Sequence, residues 1–337
     1  MIVYSEKYLG HNQEYHPENN QRLKAIMNHL TREDVFEKVP LLEPYAAREE
    51  DILRVHTRDY YQQMESLSLE GEGMLDADTY LTEDSFSVAL LAAGGLMTCV
   101  DKAFEGYDFS FALIRPPGHH ATQDKAMGFC IFNNVAVGAS YAIKKYNLDR
   151  VFILDYDVHH GNGTQDIFYS DPKVCYLSLH QHPFYPGTGS AEEVGDGKGE
   201  GYTVNIPLPP MICDESYLRA FREIAVPILE QFEPQLIIVS AGYDSHHDDP
   251  LGGMKLSTKC YYEISNKLRE TNCKVIFALE GGYNLKVLPA SVYATIAPLF
   301  HLPVGLEETI EEDKRITDYV DSKIAAYKRE LSRYWSF

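Results

Sequence analysis

The sequence predicts a single α/β domain with a mainly parallel central sheet of about eight strands and helices on both faces. Two observations carry this expectation. Continuous apolar runs of strand length alternate with amphipathic stretches of helical length, and a polar motif follows almost every apolar run. A third is organisation: no Pro/Gly/Ser-rich linker, low-complexity run or internal repeat divides the 337 residues, which leaves one domain over 1–337. Within it, a core of about 1–305 is expected to precede a charged helical tail over 306–337.

Taken in order, Phe111 to Ile114 is a strand leading to Arg115-Pro116-Pro117-Gly118-His119-His120. Val151 to Leu154 leads to Asp155-Tyr156-Asp157-Val158-His159-His160-Gly161-Asn162-Gly163, whose two glycines read as a tight turn leaving the sheet. Val174 to Leu177 leads to Ser178-Leu179-His180, and Thr203 to Ile206 adds another parallel member. Leu236 to Val239 leads to Ser240-Ala241-Gly242-Tyr243-Asp244, and Val275 to Leu279 to Glu280-Gly281-Gly282-Tyr283. Tyr217 to Phe232 and Thr258 to Glu270 have helical period. Strands buried on both faces lack a polar alternation, as these do. Ligands of such sheets sit beyond the strands' carboxyl ends, so the polar motifs are expected to converge on one rim.

Composition narrows the chemistry. The six cysteines are scattered without a CxxC pair, which argues against a disulfide framework and a thiolate metal site. A formal charge of −20 disfavours direct contact with nucleic-acid phosphates and attracts cationic substrates. Nothing reads as a secretory leader or a membrane span, so a cytoplasmic location is expected.

At the rim, strand alternation places Asp155, Asp157 and His159 on one side. Carboxylate and imidazole donors suit Zn²⁺ with a position left open. Asp244 is the leading third ligand, with His246, His247, Asp248 and Asp249 as alternatives; solvent-facing loop positions are the favoured reading for His246 and His247. His119 and His120 read as a general acid/base dyad. Asp155 can accept a hydrogen bond from one, while Asn162 offers the other only a neutral amide, which leaves that histidine less basic. Tyr283, after two glycines, suits an oxyanion donor. Ser178 and Cys130 lack an activating base, so no protein nucleophile is expected.

Together these motifs resemble the histone deacetylase family, of the arginase-deacetylase fold, in its class II-like and bacterial-archaeal branch. The resemblance runs in order through RPPGHHA (115–121), GFCIFNNVA (128–136), DYDVHHGNGTQ (155–165), LSLHQHPFYPGTG (177–189), AGYDSHHDDPLGG (241–253) and EGGYN (280–284). Asn162 stands where the nuclear class I branch has Asp. The resemblance implies zinc at Asp157, His159 and Asp244. It implies His120 as principal base and acid, His119 as its electrostatic support and Tyr283 as oxyanion donor. It also implies K⁺ at Asp155, Asp157, His159, Ser178 and Leu179, and an outer K⁺ at Phe168, Asp171, Val174 and Tyr202. Gly128, Phe129, Tyr185 and Leu251 would line an acyl-lysine tunnel, and Asp78 would grip substrate backbone at its rim.

The implied activity is zinc-dependent removal of acetyl or other short acyl groups from lysine side chains of peptides or proteins. The nearest alternative is an acetylpolyamine amidohydrolase. Leu251, where a polyamine-specific branch has Glu, and the short Gly10–Arg22 loop both favour acyl-lysine. A two-manganese ureohydrolase shares the fold, but Ser178 and Leu179 supply no second divalent site. A binding module without turnover is opposed by His119, His120 and Tyr283.

Overall fold

The computed structural model describes residues 1–337 except Glu72 and Glu307. Eight strands form one parallel sheet: β1 (Ile2–Val3), β2 (Leu41–Leu42), β3 (Phe109–Ala112), β4 (Val151–Asp155), β5 (Val174–Gln181), β6 (Thr203–Leu208), β7 (Leu236–Ala241) and β8 (Lys274–Leu279). Their order across the sheet is β2-β1-β3-β8-β7-β4-β5-β6. The central β4 and β7 are buried along their whole length, which explains why their sequences read as unbroken apolar runs.

Register does the positioning. Ala112, Ala278, Ser240, Asp155 and Ser178 are cross-strand partners in one row over β3, β8, β7, β4 and β5. The residues that follow this row therefore leave the sheet side by side, although they come from sequence positions 113 to 280. That is the physical basis of the convergence at one rim.

Four local expectations need correction. β5 runs on through Ser178, Leu179 and His180 to Gln181, because β6 keeps pairing with it as far as Leu208. β4 stops at Asp155, so strand alternation does not group Asp157 and His159 with it; a loop does. Tyr217–Phe232 is not one uniform helix. Asp214–Ala220 and Val226–Phe232 are joined by a π-turn at Phe221–Ala225, where Pro227 has no N–H to offer the preceding turn. Finally, the helix Ser85–Phe104 is long and apolar enough by composition to cross a membrane, with a mean hydropathy of 1.4. Its apolar window is 72% buried inside the protein, so this hydropathy is spent on the core.

The tail folds as the helix Lys314–Leu331, which buries Val320, Ile324, Tyr327 and Leu331. All six cysteines are free thiols.

Candidate active site

Beyond the carboxyl ends of the central strands lies a cavity of about 220 Å³. Asp78, Pro117, His119, His120, Gly128, Phe129, His159, Tyr185, Leu251, Gly281 and Tyr283 line it. A larger surface groove of about 500 Å³, around Val226, Lys267 and Cys273, gathers no comparable chemistry.

At the cavity floor, Asp157, His159 and Asp244 each offer one ligand atom, all within 4.8 Å of one another. Backbone amides aim the carboxylates. Gly281 N–H donates to Asp157 Oδ2 at 2.9 Å, His159 N–H to Asp157 Oδ1 at 2.9 Å and Val158 N–H to Asp244 Oδ1 at 3.0 Å. Asp244 Oδ2 is buried, lies 3.3 Å from His159 Nδ1 outside hydrogen-bond geometry, and has no other partner. Burying two carboxylates with an orphaned oxygen is costly unless a cation compensates them. Two oxygen ligands and one imidazole, with amides orienting the carboxylates, fit a divalent ion with an open position.

The histidine pair sits beside this trio with ring centroids 4.0 Å apart. His119 Nδ1 faces Asp155 Oδ2 at 3.1 Å, and His120 Nδ1 faces Asn162 Oδ1 at 2.8 Å. Burial alone would depress His119, but the carboxylates of Asp155 and Asp157 outweigh it and raise its pKa to about 10. Burial and the neighbouring His119 and His159 push His120 well below the usual histidine value. The pair thus has one charged and one neutral member. With Nδ1–H donated to Asn162, the lone pair of His120 is on Nε2.

Tunnel walls come from three loops. Gly128 is required by close approach: a Cβ there would lie 2.4 Å from His120 Cδ2, and its φ is +55°. Phe129 adopts φ +69°, which a non-glycine residue rarely does, and Thr79 Oγ1 accepts its N–H at 3.0 Å. Its ring meets Tyr283 edge-on at 5.6 Å, and Tyr185 meets His120 edge-on at 5.1 Å. Asp78 stands at the cavity's outer part, its carbonyl 2.9 Å from His16 Nε2. Burial, then Asp244, holds the Tyr283 phenol well above its ordinary pKa, so its hydroxyl keeps its proton.

The glycines after His160 do not form the expected turn. Gly161 precedes the helix Asn162–Phe168 and Gly163 lies inside it. A Cβ on Gly161 would lie 2.2 Å from Asp155 Oδ2, and one on Gly163 would lie 2.2 Å from the Ala121 carbonyl. Their smallness lets the helix press against the histidine segment. His246 also departs from expectation, being fully buried rather than solvated, while His247 is partly exposed. His246, His247 and Glu308 have ligand atoms within 4.8 Å of one another. However, His246 Nδ1 accepts the Asp248 N–H at 3.2 Å, which leaves Nε2 protonated and facing Glu308 Oε2 at 3.4 Å. That nitrogen is a donor to Glu308, not a metal ligand.

Ser178 lies opposite Asp155 in the β4–β5 ladder, with Leu179 next in β5. The Asp171 N–H donates to the Phe168 carbonyl at 3.0 Å, Val174 N–H to Asp171 O at 3.4 Å, and Tyr176 N–H to Tyr202 O at 2.9 Å.

Several residues of the site carried no role in the sequence reading. Buried Glu280 accepts N–H groups from Gly118 at 2.7 Å and His119 at 3.2 Å, so it holds the backbone of the dyad. Burial raises its pKa to about 7. Arg22 donates to the carbonyls of Gly282 and Glu280, at 2.7 and 2.5 Å, and stacks over the Tyr283 ring at 5.0 Å. Glu18 bridges Arg22 to Arg115, which grips it with two 2.8 Å bonds. The only sequence signal for this network was charge in otherwise apolar surroundings.

Fold and site define an α/β protein that brings a metal-ligand trio and a histidine pair to the foot of one narrow cavity. Its sequence matches the histone deacetylase domain over residues 16–299. It is 44% identical over 353 aligned positions to a probable deacetylase of Archaeoglobus fulgidus, covering 99% of this chain and 98% of that protein. It is 39% identical to histone deacetylase 10, chloroplastic, of Oryza sativa subsp. japonica, covering 93% and 77%. The crystal structure of the HDA15 HD domain superposes with a TM-score of 0.91 at 35% identity, covering 99% of this chain and 94% of the other. The chain belongs to the histone deacetylase family, and as a member it is a hydrolase of the deacetylase kind.

Proposed function

We propose that the protein is a zinc-dependent deacylase that hydrolyses N-acetyl or other short N-acyl groups on lysine side chains of peptides or proteins. The observation that carries this reading is the placement of the ligand trio, the unequal histidine pair and Tyr283 around one aromatic-walled cavity. Asp157, His159 and Asp244 would hold the zinc. Bound there, zinc supplies Lewis-acid polarisation of the acyl oxygen and brings the pKa of a water to about 7.

The chain's own groups do the rest. His120, neutral at Nε2, takes the proton from the attacking water. His119, charged and anchored on Asp155, keeps His120 neutral until then. Tyr283 donates its hydroxyl proton as a hydrogen bond to the acyl oxygen as that atom gains negative charge. His120, now carrying its proton on Nε2, delivers it to the amine nitrogen as the C–N bond breaks. Phe129 and Tyr185 flank the lysine stem, Gly128 and Leu251 close the sides, and Asp78 accepts substrate amides at the mouth.

K⁺ belongs to the same proposal. The register pairing of Asp155 with Ser178 supports the inner site, together with Asp157, His159 and Leu179. For the outer site, the carbonyls at Phe168, Asp171 and Tyr202 each use one lone pair on an N–H and keep another, with Val174 beside them. A cytoplasmic location is likewise proposed; the archaeal relative supports it, and the chloroplast label of the rice relative is the competing cue.

The charge of −20 favours a second reading, acetylpolyamine hydrolysis. Comparing kcat/KM for an acetyl-lysine peptide and acetylspermidine decides between them. The proposal expects the peptide to win, and a preference for acetylspermidine would replace it.

A further inference from the structure

We infer that Asp249 is a positioning residue for the Tyr283 hydroxyl, fixing the loop that carries it against the tunnel wall at Leu251; this deepens the deacylase reading and rests on it. After β8 ends at Leu279, the chain passes through Gly281 and Gly282, the latter at φ +115°, and enters no regular element before the helix Leu288–Phe300. Two glycines leave the direction of Tyr283 open.

One carboxylate closes that freedom. Asp249 Oδ2 accepts the N–H of Tyr283 itself at 2.6 Å and that of Asn284 at 3.1 Å. Oδ1 of the same group accepts the N–H of Leu251 at 2.9 Å. Asn284 Nδ2 adds a bond to the Asp248 carbonyl at 2.7 Å. Asp249 is 6% exposed, so water competes little for these oxygens, and three N–H donors offset its burial. The loop so anchored is the one that also carries Asp244. A single side chain therefore sets the distance between the phenol, the tunnel wall and the metal-ligand trio.

The ring of Tyr283 is touched by Phe129 and by the Arg22 guanidinium, both through ring faces and edges. Those contacts do not set where its Cα lies; Asp249 does. An error of about 1 Å at such a donor costs rate more than binding.

The test is a double-mutant cycle with Asp249→Asn, which offers one acceptor oxygen and turns an NH₂ towards the backbone donors. The expected result is a kcat about 10- to 100-fold below wild type, the size usual for supports of this kind. KM and bound metal should stay near wild type. In a Tyr283→Phe background the same change should cost less than about twofold, because the group it positions is gone. An undiminished loss in that background, or a wild-type kcat in Asp249→Asn when Tyr283→Phe alone is impaired, overturns the inference and spares the deacylase reading. A wild-type kcat in Tyr283→Phe overturns both. If circular dichroism shows Asp249→Asn unfolded, Asp249→Glu, which keeps both acceptors on a longer stem, enters the same cycle.

Discussion

Asn162→Asp should move the acid limb of the pH–rate profile towards higher pH. In the wild type, Asn162 Oδ1 accepts the His120 Nδ1–H at 2.8 Å without charge, and His120 is held well below the ordinary histidine value by burial and by His119. Aspartate keeps the acceptor and adds an anion at the same place. A unit charge pair at that separation is worth about 6 kcal/mol at an effective dielectric of 20. The buried carboxylate's own desolvation subtracts from this, and observed shifts from one opposite charge are about 1 to 3 units. His120 would then protonate at a higher pH and lose its free Nε2 in mild acid. The assay is kcat/KM for an acetyl-lysine peptide from about pH 5 to 9. The expected variant matches or exceeds wild type at the alkaline end and falls behind it as pH drops. An acid limb that stays in place in a folded, metal-loaded variant would refute the assignment of His120 as the base.

Three further outcomes follow from the same geometry. Tyr283→Phe should lower kcat about 10²- to 10³-fold, the cost of one oxyanion donor, with little change in KM; steady-state kinetics checks it. Gly161→Ala should destabilise the fold by about 1–3 kcal/mol and lower its melting temperature, since the new Cβ meets Asp155 Oδ2 at 2.2 Å and the Tyr176 hydroxyl at 2.7 Å. Acid should weaken the fold through Glu18 and His11. Burial alone would raise Glu18, but Arg115 and Arg22 hold it at about 2, against 4.5 unperturbed; burial pushes His11 from 6.5 to about 3. Both folded values lie below the unfolded ones, so each group's contribution is complete above its unfolded pKa and lost as pH falls towards the folded one. Glu18 accounts for on the order of 3 kcal/mol between about pH 4.5 and 2. Urea midpoints should therefore fall steadily below about pH 6.5, and a flat profile down to pH 3 would contradict the network.

Much of this architecture was legible because parallel strands buried on both faces must be apolar throughout, and β4, β7 and β8 are. The His119–Asp155 and His120–Asn162 pairings could be anticipated from residue types, since only one carboxylate and one amide were at hand. The glycines misled for a physical reason. Turn propensity is local, whereas Gly161 and Gly163 are small because Asp155 and Ala121 press on them from other segments. The Glu18–Arg115 pair spans 97 residues and the Asp249–Tyr283 bond spans 34, so neither leaves a periodic trace in the chain. Burial of the helix Ser85–Phe104 likewise depends on what packs around it, which hydropathy does not report.

The most direct test titrates Zn²⁺ into chelator-treated protein while following turnover of an acetyl-lysine peptide, with Asp244→Asn alongside. Turnover that rises linearly to one zinc per chain, stops with a hydroxamate and is absent from Asp244→Asn is the predicted result. Full zinc loading at the trio without hydrolysis, or turnover that survives metal removal, would contradict it.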